Sequence, residues 1–140
     1  MFKQISIFLK NEPGELAKFA DLLKDYDIEI RAITVAENED YGLILLLVDK
    51  PDECIKLLEK QDQIYSITEV IPVKVQSKEG NTQGLKEISK TLGENNINIQ
   101  YLYTALMEEE KLLVLRVDDN EKAIEILREN GFLLEEREKI

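Results

Sequence analysis

The chain has 140 residues, of which 44% are hydrophobic, enough for the packed core of one ordinary domain or of two small ones. Its 29 acidic and 18 basic residues give a net charge of −11, which disfavours nucleic acid and anionic membrane surfaces as partners. No apolar run reaches the roughly 18 residues needed to span a bilayer. A strand pattern starts at the N-terminus and leaves no room for a secretory signal, and the single cysteine cannot form an internal disulfide, so we expect a cytoplasmic protein.

The first half of the chain alternates between strand and helix patterns. Ile5, Ile7 and Leu9 alternate with polar residues, which is the period of a half-buried strand. An apolar stripe at helical spacing follows, consisting of Leu16, Phe19, Ala20 and Leu23. We predict strands over Phe2–Lys10 and residues 28–36, 43–48 and 64–70, helices over residues 13–26 and starting within residues 49–52, and a turn over residues 38–42. This order is that of the split βαβ, ferredoxin-like fold.

The same order of elements begins again at Ile71 with scarcely any linker. The apolar pattern of the first strand and helix recurs at Ile71, Val73, Val75, Leu85, Ile88, Ser89 and Leu92. A buried strand over residues 112–117, a helix stopped by Asn130 and Gly131, and a last strand over residues 132–136 complete the repeat. A period of roughly 65 to 70 residues indicates a duplicated domain, with one copy over residues 1–70 and the other over residues 71–140. Each half would have a marginal core, so we expect the halves to pair through edge strands.

The connection from Lys10 to Leu16 joins the first strand to the first helix and suits a ligand. Gly14 permits close approach of the backbone, Pro13 suits the first helical turn, and the free N–H groups there favour an anion such as a carboxylate. Many Pro-Gly connections only turn the chain. The loop alone leaves both interpretations open, and the duplicated arrangement favours a binding role.

These features resemble the ACT domain in its small tandem form, which is described as amino-acid-binding or regulatory. The resemblance covers the whole chain and is carried by residues 11–17, by residues 27–30 and by residues 36–42. It implies an α+β fold in which two ferredoxin-like βαββαβ domains lie side by side and form a continuous eight-stranded antiparallel sheet with helices on one face. Effectors, usually amino acids, would lie where the strand-to-helix loop of one domain meets the start of the second strand of the other.

Transferred to this sequence, the resemblance predicts a first ligand site from two segments. The loop contributes Asn11, Glu12, Pro13, Gly14, Glu15 and Leu16, and the opposite wall contributes Asn96, Ile97, Asn98 and Ile99. Backbone amides near Gly14 suit a ligand carboxylate, and the amide oxygens of the asparagines suit an ammonium group. The alternative is structural, with Asn11 as a helix cap and Asn96 and Asn98 at turn and strand-start positions.

A second site would use the corresponding loop of the second half, which departs from the pattern. Its residues are Ser77, Gly80, Asn81, Gly84 and Leu85, opposite Asp27, Ile28, Glu29 and Ile30. Either Gly80 matches Gly14, with about three residues inserted before Leu85, or Gly84 matches Gly14 in a shorter loop. Carboxylates in the opposite wall would repel the carboxylate of an amino acid, so we favour one functional site over two.

Catalytic chemistry has little support in the sequence. There is no histidine, and Cys54 lies on an apolar helical stripe, where we expect a buried and inert thiol. We interpret the acidic runs at residues 108–110 and 135–136 as a solvated turn and a solvated strand in preference to a metal site. Tyr101 and Tyr103 share one face of a strand, where burial is favoured over ligand stacking. We expect no enzyme activity, no cofactor and no metal.

The leading hypothesis is a non-catalytic regulatory protein that binds an amino acid between its two domains and thereby changes the activity of a partner enzyme or regulator. The alternative is a protein–protein interaction module, such as a regulatory subunit of an amino-acid biosynthetic enzyme with vestigial ligand loops. The sequence is compatible with a monomer and with a homodimer of tandem units.

Overall fold

A computed structural model describes residues 1–10, 12–37, 41–106 and 110–135, without the side chains of Glu37 and Tyr41. Within these ranges it contains four α-helices and six β-strands. The chain divides into a first compact unit, Lys3–Thr68, and a second, Glu69–Ile140 with Met1–Phe2. None of the helices in the described ranges is long and apolar enough to cross a membrane.

The first unit has the element order predicted for a split βαβ fold. It contains β1 (Phe2–Lys10), α1 (Glu15–Asp25), β2 (Ile30–Glu37), β3 (Tyr41–Val48), α2 (Pro51–Lys60) and the start of β4 (Tyr65–Lys74). The strand order is β2-β3-β1-β4, and β3 runs antiparallel to both β2 and β1. Leu46 lies between Ile33 of β2 and Ile5 of β1. β2 is therefore the outer strand of this unit.

The second unit repeats this arrangement. It contains the rest of β4, α3 (Asn81–Glu94), β5 (Ile99–Thr104), β6 (Leu112–Val117) and α4 (Asn120–Glu129). The strand order is β4-β6-β5, with β6 antiparallel to both neighbours. Leu115 lies between Ile71 of β4 and Leu102 of β5. β5 is the outer strand here and corresponds to β2.

Each unit has its own hydrophobic core between one face of its strands and its two helices. The first core includes Ile5, Ile7, Phe19, Leu23, Ile44, Leu46, Cys54 and Leu58. The second includes Ile71, Val73, Ile88, Leu92, Leu113, Leu115, Ala123 and Leu127. The same period-3.6 and period-2 patterns therefore produce the same packing twice.

The eight predicted strands differ from the six that the described residues form. The predicted strands over residues 64–70 and from Ile71 onward are one continuous strand, β4. No residues lie between the two predicted strands, and β4 continues through Pro72, so the chain passes straight from one repeat to the next. The predicted last strand contributes one bridge, Val73 to Leu133, and a hydrogen bond from the Leu134 N–H to the Pro72 carbonyl (3.1 Å), while residue 136 lies outside the described residues. A continuous eight-stranded sheet is not shown.

The starts of two helices also differ from the prediction. α1 begins at Glu15, after an N-cap at Gly14, so Pro13 precedes the helix and does not lie in its first turn. Gly14 occupies the N-cap position, and Asn11, the alternative cap, lies outside the described residues. Of the predicted inward stripe, Phe19 and Leu23 are buried, whereas Leu16 is 44% exposed and Ala20 is exposed. Leu16 lies in the first turn of α1, before the part of the helix that packs on the core.

Candidate functional site

The Gly14 loop is an exposed connection that presents the start of α1. Gly14 has a left-handed conformation (φ 88°), which glycine adopts without steric cost, and it provides no side-chain cap for the helix. The Glu12 N–H donates to the Lys10 carbonyl (2.9 Å), and the Glu15 N–H donates to the Glu12 carbonyl (3.3 Å). Glu12, Pro13 and Gly14 are exposed, and Asn11 lies outside the described residues. Gly14 therefore has the expected left-handed backbone on an open surface, whereas the Glu15 N–H, predicted to be free, already donates within the loop.

The predicted walls at residues 27–30 and 96–99 begin with the same helix ending. The Asp27 N–H donates to the Lys24 carbonyl (3.0 Å) and the Ile28 N–H to the Leu23 carbonyl (2.9 Å), which is a Schellman motif. Asn96 and Ile97 repeat this pattern after α3. Asp27 and Asn96 have φ values of 55° and 58° because the motif requires a left-handed residue at this position. Both residues thus have a structural role, as the alternative interpretation of Asn96 proposed.

An aspartate fixes the next residue of each wall. The Glu29 N–H donates to the Asp49 carboxylate (2.9 Å), and the Asn98 N–H donates to the Asp118 carboxylate (3.1 Å). The backbone N–H groups of Asp49 and Asp118 donate back to the carbonyls of Glu29 and Asn98. A ligand carboxylate would have to displace these charge-assisted hydrogen bonds to use the same N–H groups.

The isoleucines of the two walls belong to the structure of each unit. Ile28 and Ile97 are buried in the two cores. Ile30 and Ile99 are the first residues of β2 and β5, so β2 begins two residues later than the predicted strand. Their side chains contribute to the packing of each unit.

A small cavity adjoins the first of these walls within the first unit. It has a volume of about 230 Å³ and is lined by Ala20, Leu23, Lys24, Asp27, Ile28, Glu29 and Ile30. The Lys50 ammonium donates to the Asp27 carbonyl (2.7 Å) and lies 3.4 Å from the Asp27 carboxylate. The volume lies below the roughly 300–1,000 Å³ of typical ligand pockets, and two carboxylates border it.

The predicted second loop is shorter than the sequence indicated, because its second half is helical. Gly80 is the N-cap of α3 with φ 109°, so it corresponds to Gly14. Asn81 and Gly84 were predicted as loop residues, and the structure corrects this by placing them inside α3, which also contains Leu85. The inserted residues therefore form an additional turn, which gives α3 14 residues against the 11 of α1. Before it, the Glu79 N–H donates to the Ser77 hydroxyl (3.1 Å).

A cavity of about 490 Å³ lies in the second unit beside this additional turn. It is lined by Val75, Asn81, Thr82, Leu85, Leu102, Thr104, Ala105, Glu110, Lys111, Leu112 and Leu113. These residues come from the end of β4, the start of α3, the end of β5 and the start of β6. The volume lies within the roughly 300–1,000 Å³ range of small-molecule pockets.

The polar groups of this cavity are few and specific. The Lys111 ammonium donates to the Asn81 side-chain oxygen (3.1 Å), which ties the start of β6 to the start of α3. Glu110 supplies a carboxylate, and Thr82 and Thr104 supply hydroxyl groups. The remaining walls are aliphatic. An apolar pocket with one cation and one anion is suited to a small amphipathic molecule.

The cavity unites only part of the predicted second site. It includes Asn81 and Leu85, while Ser77, Gly80 and Gly84 are not among its lining residues. Sequence reasoning missed Leu102, Thr104, Glu110 and Lys111. A sequence signal was present, because Leu102 lies on the opposite strand face from Tyr101 and Tyr103, and Lys111 follows an acidic run.

The cysteine, the tyrosine pair and the acidic runs were considered for catalysis, ligand stacking and metal binding. Cys54 is fully buried, and burial raises the pKa of its thiol to about 11, which makes it unreactive, as predicted. The Tyr101 and Tyr103 rings stack with centroids 6.5 Å apart, and burial raises the pKa of Tyr103. Glu110 is exposed, whereas Glu108, Glu109 and Glu136 lie outside the described residues. The described residues contain no group of three His, Cys, Asp or Glu side chains that could hold a metal ion.

The repeated element order and the antiparallel strands define a tandem ferredoxin-like α+β protein. The sequence model of the family described as "ACT domain pair" matches residues 1–139. The chain belongs to this family, which confirms the resemblance stated from the sequence. A comparison with curated proteins gave no match.

Solved structures with the same fold span nearly the whole chain. Protein BT0572 from Bacteroides thetaiotaomicron is 28% identical, with a TM-score of 0.83 over 96% of this chain and 91% of that chain. The ligand-free regulatory subunit of aspartate kinase from Thermus thermophilus is 17% identical, with a TM-score of 0.66 over 91% of each chain. The corresponding subunit from Thermus flavus is 16% identical, with a TM-score of 0.60 over 90% of this chain and 88% of that chain. The two kinase subunits share the fold of this chain.

Proposed function

We propose that this chain is a non-catalytic regulatory protein that binds an amino acid and thereby changes the activity of a partner protein. The observation that carries this proposal is the cavity of about 490 Å³ beside the strand-to-helix connection of the second unit. It has the size of a ligand pocket, aliphatic walls and one charge of each sign. Membership of the ACT domain pair family supports the proposal, and two proteins of the same fold are regulatory subunits of an enzyme.

The division into domains over residues 1–70 and 71–140 and the ligand residues derived from the resemblance are part of the proposal. For the loop at residues 11–16 and the wall at residues 96–99, the support is the resemblance and the open backbone at Gly14. For the second site, the support is the presence of Asn81 and Leu85 in the lining of the cavity. The cavity favours a ligand site in the second unit over the first predicted site, which the sequence favoured.

A thermal-shift screen of the twenty amino acids against the full chain tests the proposed function. A ligand that binds only the folded state stabilises it by RT ln(1 + [L]/Kd), so the melting temperature rises with the logarithm of the ligand concentration above Kd. We expect at least one amino acid to raise the melting temperature, and isothermal titration then to give one site per chain. No shift with any amino acid at millimolar concentration would contradict the proposal.

The second candidate is an interaction subunit of an amino-acid biosynthetic enzyme with vestigial ligand loops. It is favoured by one observation: Asp49 and Asp118 already occupy the N–H groups of Glu29 and Asn98 in the predicted walls. An affinity-tagged chain distinguishes the candidates. The subunit would retain the same enzyme from its native lysate with and without added amino acids, whereas a ligand-dependent regulator would show retention that changes with the amino acid.

A further inference from the structure

We propose that the cavity of the second unit selects an α-amino acid with an aliphatic side chain, holding the ligand carboxylate at Lys111 and the ligand ammonium at Glu110. This inference rests on the proposed function and names the ligand class and its two anchoring residues. It is carried by the chemistry of the residues that line the cavity.

The walls of the cavity favour an aliphatic side chain. Val75, Leu102, Leu112 and Leu113 line it from the strands, and Leu85 lines it from α3. Leu85 and Leu102 remain 39% and 38% exposed, so part of this apolar surface is in contact with solvent. A ligand side chain that covers it removes apolar area from water, at roughly 25 cal/mol per Å². A polar side chain placed against these five residues would lose hydration and gain no hydrogen bond from them, since the hydroxyl groups of the lining belong only to Thr82 and Thr104.

The two charged residues match the two ends of an amino acid. A lysine ammonium has three N–H donors, so Lys111 can keep its hydrogen bond to Asn81 (3.1 Å) and also donate to a ligand carboxylate. Glu110 is adjacent in sequence and lines the same cavity, and its carboxylate accepts hydrogen bonds from an ammonium group. Charge-assisted hydrogen bonds of both kinds are stronger than neutral ones.

The overall charge of the chain discriminates between a zwitterion and a simple anion. A net charge of −11 repels a free carboxylate, and the nearby Glu110 carboxylate adds to this repulsion. The ammonium of an amino acid cancels the charge of its own carboxylate and gives Glu110 a partner. An oxo acid of the same shape lacks the ammonium and would leave Glu110 facing an anion.

Isothermal titration of the full chain tests this selectivity with three ligands: L-leucine, L-serine and 4-methyl-2-oxopentanoate, the oxo acid of leucine. We expect L-leucine to bind and the other two to bind at least tenfold more weakly. Lys111→Met should weaken L-leucine binding at least tenfold, which corresponds to about 1.4 kcal/mol. Lys86→Met is the matched control, since it removes the same charge from an exposed position of α3 outside the cavity and should leave the Kd unchanged.

The outcomes separate this inference from the proposed function. If L-serine or another polar amino acid binds more tightly than L-leucine, or if Lys111→Met binds L-leucine with unchanged Kd, the inference is wrong and the proposed function stands. If none of the twenty amino acids binds, both are wrong. If Lys111→Met is too unstable to titrate, Glu110→Gln decides, because it should reduce the preference for L-leucine over its oxo acid at least fivefold, and an unchanged preference overturns the inference.

Discussion

Asn96 shows how a residue predicted for a ligand site can be explained by the backbone. It follows α3 in a left-handed conformation (φ 58°), and the matching residues after α1, α2 and α4 are Asp27 (55°), Asp62 (54°) and Gly131 (74°). Aspartate, asparagine and glycine are the residues that adopt this conformation most readily. The pattern across four helices therefore accounts for the residue type at position 96 without a ligand.

We predict that Asn96→Gly leaves the free energy of unfolding unchanged or raises it, because glycine has no steric penalty at positive φ. Asn96→Ala should lower it by about 1 kcal/mol, because alanine keeps the Cβ clash of the left-handed conformation but lacks the short polar side chain with which asparagine offsets it. Chemical denaturation measures both, with Asp62→Gly as the matched control after α2. A loss with Asn96→Gly as large as that with Asn96→Ala would contradict the backbone explanation.

Cys54 provides a pH dependence whose sign follows from its burial. Burial raises the pKa of the thiol from 9.0 to about 11 in the folded chain. Its contribution to stability is therefore complete below pH 9.0 and is lost as the pH rises towards 11, because the unfolded chain releases the proton first. The corresponding fourth residue of α4 is Ala123, which is also fully buried, so an alanine fits this position in the repeat.

We predict that raising the pH to about 10.5 lowers the free energy of unfolding by about 1–2 kcal/mol more in the natural chain than in Cys54→Ala. Lysines and tyrosines titrate in the same range, and the comparison with the variant removes their contribution. Urea denaturation at neutral pH and at the higher pH gives the difference. Equal losses in the two chains would show that Cys54 does not contribute.

At the scale of the elements, α3 differs from α1 through its additional first turn. The segment Asn81-Thr82-Gln83-Gly84 has low helix propensity, which is why the sequence predicted a loop there. Gly84 is buried, and a Cβ atom at this position would lie 2.5 Å from Cγ1 of Val75. The close packing of this turn on Val75 outweighs the local preference. A pattern of single residues cannot show such a contact between distant positions.

We predict that Gly84→Ala destabilises the chain by about 1–3 kcal/mol, because the added methyl group overpacks against Val75. Gly93→Ala is the matched control in the same helix, since nothing lies within 4 Å of its Cβ position. The control should raise stability by about 0.5–1 kcal/mol, since alanine is the better helix former. Thermal unfolding of the two variants measures the contrast, and a neutral Gly84→Ala would refute the close approach.

The sequence correctly predicted which segments are extended, but it did not predict the number of strands. The predicted strands over residues 64–70 and from Ile71 onward correctly indicate extended chain in β4, Tyr65–Lys74, whereas the domain boundary at residue 71 stays a prediction. The two predicted strands are adjacent in the sequence with no residue between them. They form one strand, β4, which contributes residues to both units. A repeat boundary in the sequence is therefore not a break in the backbone.

At the scale of the whole molecule, duplication produced two units with a shared framework and different local detail. Both have the same helix endings, and in both an aspartate carboxylate, of Asp49 or of Asp118, accepts a hydrogen bond from a backbone N–H of the wall. They differ at the strand-to-helix connection, where the second unit has the longer helix and the cavity of about 490 Å³. The family resemblance identified this connection from the sequence. The cavity could not be predicted in the same way, because its lining residues are far apart in the sequence and are brought together only by the fold.

The most direct test of the account is the ¹H–¹⁵N correlation spectrum of the full chain during titration with L-leucine. We expect saturable shifts concentrated at Val75, Asn81, Leu102 and Lys111, and no saturable shifts at these residues with L-serine at the same concentration. A spectrum that does not change with any amino acid, or one in which saturable shifts with L-leucine leave these four residues unaffected, would contradict it.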